Sequence, residues 1–328
     1  MKPRTYNNLF FYLIIICFAF SKKIAQAQPT SSTPPIEAAL STFQKFRASQ
    51  SNSGLQLLKG NFTSTTPTIK WQYNMTGNDG GGEGHVAIGN VVPGVSGNEV
   101  VASNERYLPP AFTVSVGGTF CLNGSTGALI WSFAKGAQSV PVIADADNNG
   151  SMEVVVQDDG FVYCLNGSTG AQMWSAAIPP GFEAVTPSPT VADLIPGGSN
   201  EIIVNSALQV FCLNGATGAI IWSHTCTNVT SYFLSSSPAV GDVNMDGQLD
   251  VIIVEPGEAA GVNCGTCPAV NAKATALRGN NGSVIWTNNN LPPIYNIQMQ
   301  SPVITDINQD CTMEVLFPAN DAPANTLY

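Results

Sequence analysis

The chain has 328 residues, of which only 10% are charged, and its 22 acids against 12 bases give a formal charge of −10. Hydrophobic residues make 44% of it, with 31 glycines and 22 prolines. This excludes a disordered chain, which lacks apolar surface to bury, and a coiled coil or helical bundle, which needs Ala/Glu/Lys/Leu/Arg richness. So few cations also exclude nucleic acid as a partner, since phosphate binding draws on Lys and Arg. The surplus acid suits cations instead.

Residues 1–27 read as a signal peptide. Lys2 and Arg4 form a basic start, Leu9–Phe20 is an apolar run, and Ala25-Gln26-Ala27 places small residues where a signal peptidase reads. Twelve helical residues span about 18 Å, against a bilayer core of about 30 Å, so an anchor is the weaker reading. Loss of this segment leaves 8 bases against 22 acids. The expected location is extracytoplasmic, secreted or at the cell surface, with no transmembrane span after cleavage. Residues 28–58 are a Ser/Thr/Pro-rich spacer, and apolar positions 36, 39, 40, 43 and 46 predict one short helix over 36–49.

Residues 59–328 are a repeat. CLNGSTGALIW (121–131), CLNGSTGAQMW (164–174), CLNGATGAIIW (212–222) and ALRGNNGSVIW (276–286) align without gaps. Each places Gly four residues before Trp, and Cys or Ala ten before it. A second pattern alternates with the first: VIADADNNGSMEVVV (142–156), TVADLIPGGSNEIIV (190–204), AVGDVNMDGQLDVII (239–253) and VITDINQDCTMEVLF (303–317), with a degenerate copy at 86–101. Asp145, Asp193 and Asp242 are spaced by 48 and 49 residues, and Asp306 follows after 64 because the fourth copy carries an insertion. A period in the forties with several β-rich runs predicts propeller blades of four short strands. In the second copy these fall at about 141–144, 153–157, 161–165 and 172–176. The repeated Trp131, Trp174, Trp222 and Trp286 are plates of the size needed to fill the gap between blades.

The Thr-Gly-x-x-x-Trp unit resembles the blade repeat of pyrroloquinoline-quinone (PQQ) dehydrogenase-like propellers, and the Asp-rich half resembles the FG-GAP repeat of integrin α-subunit-like propellers. The two cover about residues 60–328 and together resemble secreted bacterial repeat proteins. The resemblance implies an all-β propeller, with about five blades present of six to eight. Residues 68–71 read as a lone fourth strand, and the run after 317 as half a blade. The expectation is therefore a C-terminally truncated ring.

The visible chemistry is calcium. Asp145, Asp147, Asn149 and Glu153 put oxygen at positions 1, 3, 5 and 9 of a tight loop, as do Asp242, Asn244, Asp246 and Asp250. The carbonyls of Ser151 and Gln248 at position 7 add to each set, and calcium takes six to eight such oxygens. The closing acid at 9 and the flanking strands distinguish these loops from an EF-hand. They match the calcium loop of FG-GAP propellers, as the resemblance implies. A third loop, Asp306, Asn308, Asp310, Thr312 and Glu314, has Cys311 where glycine is expected, which leaves it open. The copy from Asp193 to Glu201 lacks ligands and is expected to be a plain turn, as is the copy at Asn90. The expected role of calcium is to brace the blade.

Cys121, Cys164 and Cys212 share a position with Ala276, which reads as a small buried site, not a bridge. Cys264 and Cys267 lie in the fourth-blade insertion, where a disulfide is the plainest extracytoplasmic reading; the pairing of these two with Cys226 and Cys311 stays open. Unequal insertions at about 104–118 and 255–272 suit recognition loops. The reading is a noncatalytic binding or adhesion module for extracellular protein or glycan. The alternatives are a PQQ-dependent dehydrogenase, although no adjacent-cysteine pair is present, and a propeller polysaccharide lyase.

Overall fold

The computed structural model describes residues 69–75, 83–107, 115–137, 139–158, 160–179, 187–206, 209–227, 236–255, 257, 270–291, 301–316, 318–321 and 324–327. The signal segment, the spacer with its expected helix, and Cys264 and Cys267 lie outside the described residues. All regular structure among the described residues is β. Blade one comprises β1 (Glu83–Gly89), β2 (Glu99–Tyr107), β3 (Ser115–Asn123) and β4 (Leu129–Phe133). Blade two comprises β5 (Val142–Ala144), β6 (Glu153–Gln157), β7 (Phe161–Asn166) and β8 (Gln172–Ala177). Blade three comprises β9 (Thr190–Ala192), β10 (Glu201–Ser206), β11 (Gln209–Asn214) and β12 (Ile220–Thr225). Blade four comprises β13 (Ala239–Gly241), β14 (Asp250–Glu255), β15 (Lys273–Arg278) and β16 (Val284–Asn288).

Each of the four is an antiparallel meander paired in chain order. The fifth repeat forms two separate hairpins, β17 (Val303–Thr305) with β18 (Glu314–Leu316), and β19 (Pro318–Asp321) with β20 (Ala324–Leu327). The first strands β1, β5, β9, β13 and β17 touch in succession, so the blades pack radially around their inner edges. No helix among the described residues is long and apolar enough to cross a membrane.

In blades two to four the second and third strands read as nearly continuous apolar runs because both of their faces are buried. In β6, Val154 and Val156 enter the core shared with blade one, while Val155 enters the core shared with blade three. In β7, Tyr163 and Leu165 face one way and Val162 and Cys164 the other. The pleat sends alternate residues to opposite faces, so each of these central strands serves two cores. Cys121, Cys164, Cys212 and Ala276 are buried and lie directly across the ladder from Trp131, Trp174, Trp222 and Trp286. A small residue is placed opposite each indole, and a register shift follows immediately in all four blades. The three cysteines are unbridged thiols, and burial pushes all of them up, Cys121 to about 12. Cys226 is likewise a buried, unbridged thiol in the core between blades three and four.

Trp131, Trp174 and Trp222 each dock on the next blade. Trp131 Nε1 donates to the Gly167 carbonyl at 2.7 Å, Trp174 to Gly215 at 2.8 Å and Trp222 to Gly279 at 2.8 Å. The indole faces lie over Gly170, Gly218 and Gly282, where φ is near +70° and an added Cβ would meet the ring at 2.5–2.6 Å. Residues 69–75 form no strand, contrary to the reading of 68–71 as a fourth strand. Trp71 nevertheless takes the same seat, donating to the Gly124 carbonyl at 2.9 Å and covering Gly127. The indole contact therefore persists where strand pairing does not.

A second seam runs beside the inner strands, where each blade enters its first strand. Val140 N donates to Ser188 Oγ at 3.1 Å, Ser188 N to Ser237 Oγ at 2.8 Å and Ser237 N to Ser301 Oγ at 3.1 Å. Each donor residue precedes a proline, which is biased to extended backbone and has no N–H of its own to place. Gly170→Ala should lower stability by about 2 kcal/mol, since it combines unfavourable φ with a clash against Trp131. Urea unfolding checks this, and an unchanged midpoint would contradict the docking geometry.

Candidate metal centre

The loop joining β5 to β6 turns sharply because Asn148 and Gly150 both adopt positive φ, 61° and 89°. Asp145 Oδ1 accepts from Asn149 N at 2.9 Å, and its Oδ2 accepts from Gly150 N at 2.9 Å. Asp147 Oδ1 accepts from Asn149 N at 3.1 Å, and Asn149 Oδ1 accepts from Ser151 N at 2.7 Å. Glu153 Oε2 accepts from Ala146 N at 2.8 Å, while its Oε1 is buried with no hydrogen-bond partner. Among the described residues, Asp145, Asp147 and Glu153 form the one set of three acids whose carboxylate oxygens all lie within 4.8 Å of one another. The donor set is all oxygen, which suits a hard divalent cation. The orphaned Glu153 oxygen is a buried polar atom that such an ion would satisfy.

The loop joining β13 to β14 repeats this frame. Met245 and Gly247 take positive φ. Asp242 accepts from Asp246 N at 3.1 Å and from Gly247 N at 2.9 Å, and Asp246 Oδ1 accepts from Gln248 N at 2.9 Å. The third loop, between β17 and β18, keeps the frame as well. Asp306 accepts from Asp310 N and Cys311 N, and Asp310 Oδ1 accepts from Thr312 N at 2.8 Å. Cys311 holds φ at 70°, so a non-glycine residue occupies the conformation for which glycine was expected.

Sequence reasoning missed a second role for position 9. Glu153 has counterparts in blades whose loops lack calcium ligands. Glu99 Oε2 accepts from Val91 N at 2.8 Å and Val92 N at 3.0 Å, and Glu201 Oε2 accepts from Leu194 N at 2.8 Å and Ile195 N at 2.9 Å. Asp250 accepts from Val243 N at 3.2 Å, and Glu314 from Ile307 N at 2.8 Å. In all five repeats this acid closes the first connection by binding backbone N–H groups. The stretch from Asp193 to Glu201 is thus more than the plain turn expected of it. An acid at position 9 of four copies, and at position 10 of the one-residue-longer copy at 86–101, was the available signal.

Burial sets the electrostatics. It raises Glu153 to about 7, helped by Asp147 and Asp145 and opposed by the Ala146 N–H. Burial also raises Glu201 and Asp250. Asp246 is lowered, first by the Gln248 N–H and then by Asn244 and Arg278.

A family description, outer membrane protein assembly factor BamB, matches residues 62–245, more than half of the chain. The chain belongs to that family. No curated protein matches it. Among solved structures, the BamB-family propeller described here is similar to quinohemoprotein alcohol dehydrogenase from Comamonas testosteroni, with TM-score 0.57 and 12% identity over 88% of this chain and 48% of that one. A europium-containing methanol dehydrogenase matches with TM-score 0.54 and 13% identity, over 87% of this chain and 55% of that one. BamB from Moraxella catarrhalis matches at 14% identity and TM-score 0.36, over 69% of each chain. The chain spans about half the length of the two dehydrogenases. At these identities the likeness carries the fold: a propeller of PQQ-like blades.

Two outcomes test this geometry. Glu201→Ala should cost about 2–4 kcal/mol in urea unfolding, because it strands buried N–H groups, and calcium should not change that loss. In chelator, Glu153 is about 7 when folded but about 4.3 when unfolded. The folded state then binds more protons between these values, so the contribution is present below about 4.3 and is lost as pH rises through about 7. The wild type should lose stability relative to Glu153→Gln between about pH 4.3 and pH 7; a pH-independent difference would contradict the assignment.

Proposed function

We propose that this propeller is an exported, noncatalytic binding module, braced by calcium, that contacts extracellular protein or glycan. The supporting observation is where the chain spends its extra length. The β2–β3 connection runs from Tyr107 to Ser115 and the β14–β15 connection from Glu255 to Lys273, whereas blades two and three turn from Gln157 to Phe161 and from Ser206 to Gln209. In an antiparallel meander these connections emerge at the end opposite the metal-type loops. One end carries regular, backbone-closed loops, and the other carries unequal ones, the pattern of a scaffold that presents recognition segments.

The longer insertion has a fixed base. Glu255 precedes it and Lys273 follows it, and the two form a buried ion pair at 2.6 Å. Thr227 N of blade three donates to Glu255 Oε2 at 2.8 Å. Export rests on the signal-type segment 1–27, followed by the spacer 28–58 and the propeller 59–328. A BamB-type family description, with its reference to assembly, supports a protein as the partner. Calcium would be held by Asp145, Asp147, Asn149, Ser151 and Glu153, and by Asp242, Asn244, Asp246, Gln248 and Asp250. The third loop, Asp306 to Glu314, has the same frame, with Cys311 where the other two carry glycine.

The dehydrogenase reading draws support from the solved neighbours, but their likeness carries the fold, and fold does not determine chemistry. Two measurements separate the readings. Replacing residues 258–269 with a short Gly/Ser turn should abolish retention on an array of extracellular glycans and matrix proteins while leaving the melting temperature within about 2 °C. Unchanged retention would refute the insertion as the contact surface. PQQ with calcium should give no dye-linked alcohol or sugar oxidation; turnover would establish the enzyme instead.

A further inference from the structure

The second and fourth blades carry metal-type loops of equal acidity but unequal surroundings. Each contains three carboxylates and one asparagine among its side-chain positions: Asp145, Asp147, Glu153 with Asn149, and Asp242, Asp246, Asp250 with Asn244. The difference lies in the neighbouring turn. Blades one to three end their third strand in Asn123, Asn166 and Asn214, and each side chain caps its own turn by accepting from the N–H groups two and three residues on. Blade four has Arg278 at this position. Its guanidinium reaches back to the metal-type loop and lies 3.2 Å from Asp246 Oδ2.

We infer that Arg278 is a built-in counter-ion of the blade-four loop and makes it a weaker divalent-cation site than the blade-two loop. The inference deepens the calcium reading above and rests on it. Both oxygens of Asp246 are already engaged, Oδ1 by Gln248 N and Oδ2 by Arg278. Asn280 Nδ2 adds a contact to Gln248 Oε1 at 2.9 Å, tying the same turn to position 7 of the loop. A cation entering this loop must share Asp246 with a guanidinium and sit beside a like charge. In the blade-two loop Asp145 and Asp147 accept only from the neutral N–H groups of the loop's own backbone and the Asn149 amide, not from a guanidinium. The three acids of this loop converge within 4.8 Å, and Glu153 Oε1 is buried without a partner, so a cation there relieves repulsion and satisfies an orphaned oxygen.

The arginine is dispensable for the turn itself. Gly282 N donates to the Arg278 carbonyl at 2.8 Å, as Gly170 N donates to that of Asn166 at 2.8 Å. Asparagine at 278 would restore the residue used in three other blades.

The test is calcium titration of the chelator-treated full chain by isothermal calorimetry, with melting temperature as a second readout. The wild type should show a tight event that Asp147→Asn removes, and a weaker event. Arg278→Asn should tighten the weaker event by about three- to fivefold and leave the tight one unchanged, and adding Asp246→Asn should reverse the gain. Arg278→Gln gives the same comparison should the asparagine variant fold poorly. Calcium events that move by less than about twofold in both Arg278 variants would overturn the inference and leave the calcium reading standing. An absence of calcium binding in the wild type and both variants would overturn the calcium reading itself.

Discussion

The contact on which the rest of this structure depends is the indole of one blade seated on the turn of the next. A meander of four short strands cannot cover both its faces, so a blade exists only with neighbours. The seat fixes how neighbours meet. The indole N–H takes the carbonyl of the first turn glycine and the ring covers the second, so position and orientation are set together. Trp71 makes the same contact without a paired strand behind it. The turn is in turn fastened to the loop that carries the acids: Gly167 N donates to the Met152 carbonyl, and Gly215 N to that of Asn200. Trp131, Gly167, Met152 and Glu153 therefore form one continuous mechanical link from the interblade core to the candidate metal centre.

The two ends of the propeller are held by different chemistry. At the metal-type end the bonds are short-range and repeat from blade to blade, which leaves little room for altered length. At the opposite end the serine seam and a row of buried amides hold the inner strands. Gln157 Nε2 donates to the Asn205 carbonyl at 2.8 Å, and Asn205 Nδ2 to that of Ser236 at 2.6 Å. These bonds lie near the inner edges of the blades. Blades one and four carry their insertions in the second-to-third-strand connections at this end. The Glu255–Lys273 pair shows the condition attached: an insertion is compatible with the blade when its two stems are locked to each other and to a neighbour.

The repeat period and the Gly/Trp spacing were sufficient to place the blade strands, and the four strands expected in blade two differ from those observed by no more than one residue at either end. The reason is physical: each strand is short, apolar on both faces and bounded by turn residues that cannot extend it. The cysteine position was legible for the same reason, since Ala276 occupies it in one copy. What the sequence could not reveal was contact across blades. Trp131 and Gly167 are 36 residues apart, and nothing in either local pattern states that one is the other's seat. Arg278 likewise reads as a substitution inside a turn until the turn is folded against Asp246.

The acid at position 9 shows most clearly how one sequence pattern carries two roles. In a loop rich in Asp and Asn it reads as the closing metal ligand. Yet Glu99 and Glu201 do the same backbone work in loops without that ligand set. One carboxylate oxygen is committed to closing the loop, and the other is what remains for chemistry. In blade one that second oxygen, Glu99 Oε1, is buried and unpartnered with no acids expected as ligands beside it; in blade two it belongs to a residue clustered with Asp145 and Asp147. The connection is therefore closed by the protein's own N–H groups before any ion enters. Under the calcium proposal the ion would meet a preformed loop, and its effect on the fold should be incremental, unlike a metal whose ligands are gathered only in its presence. The propeller's architecture and any proposed metal binding are in this sense separable, the first set by tryptophan and backbone, the second by which charges stand beside an already closed loop.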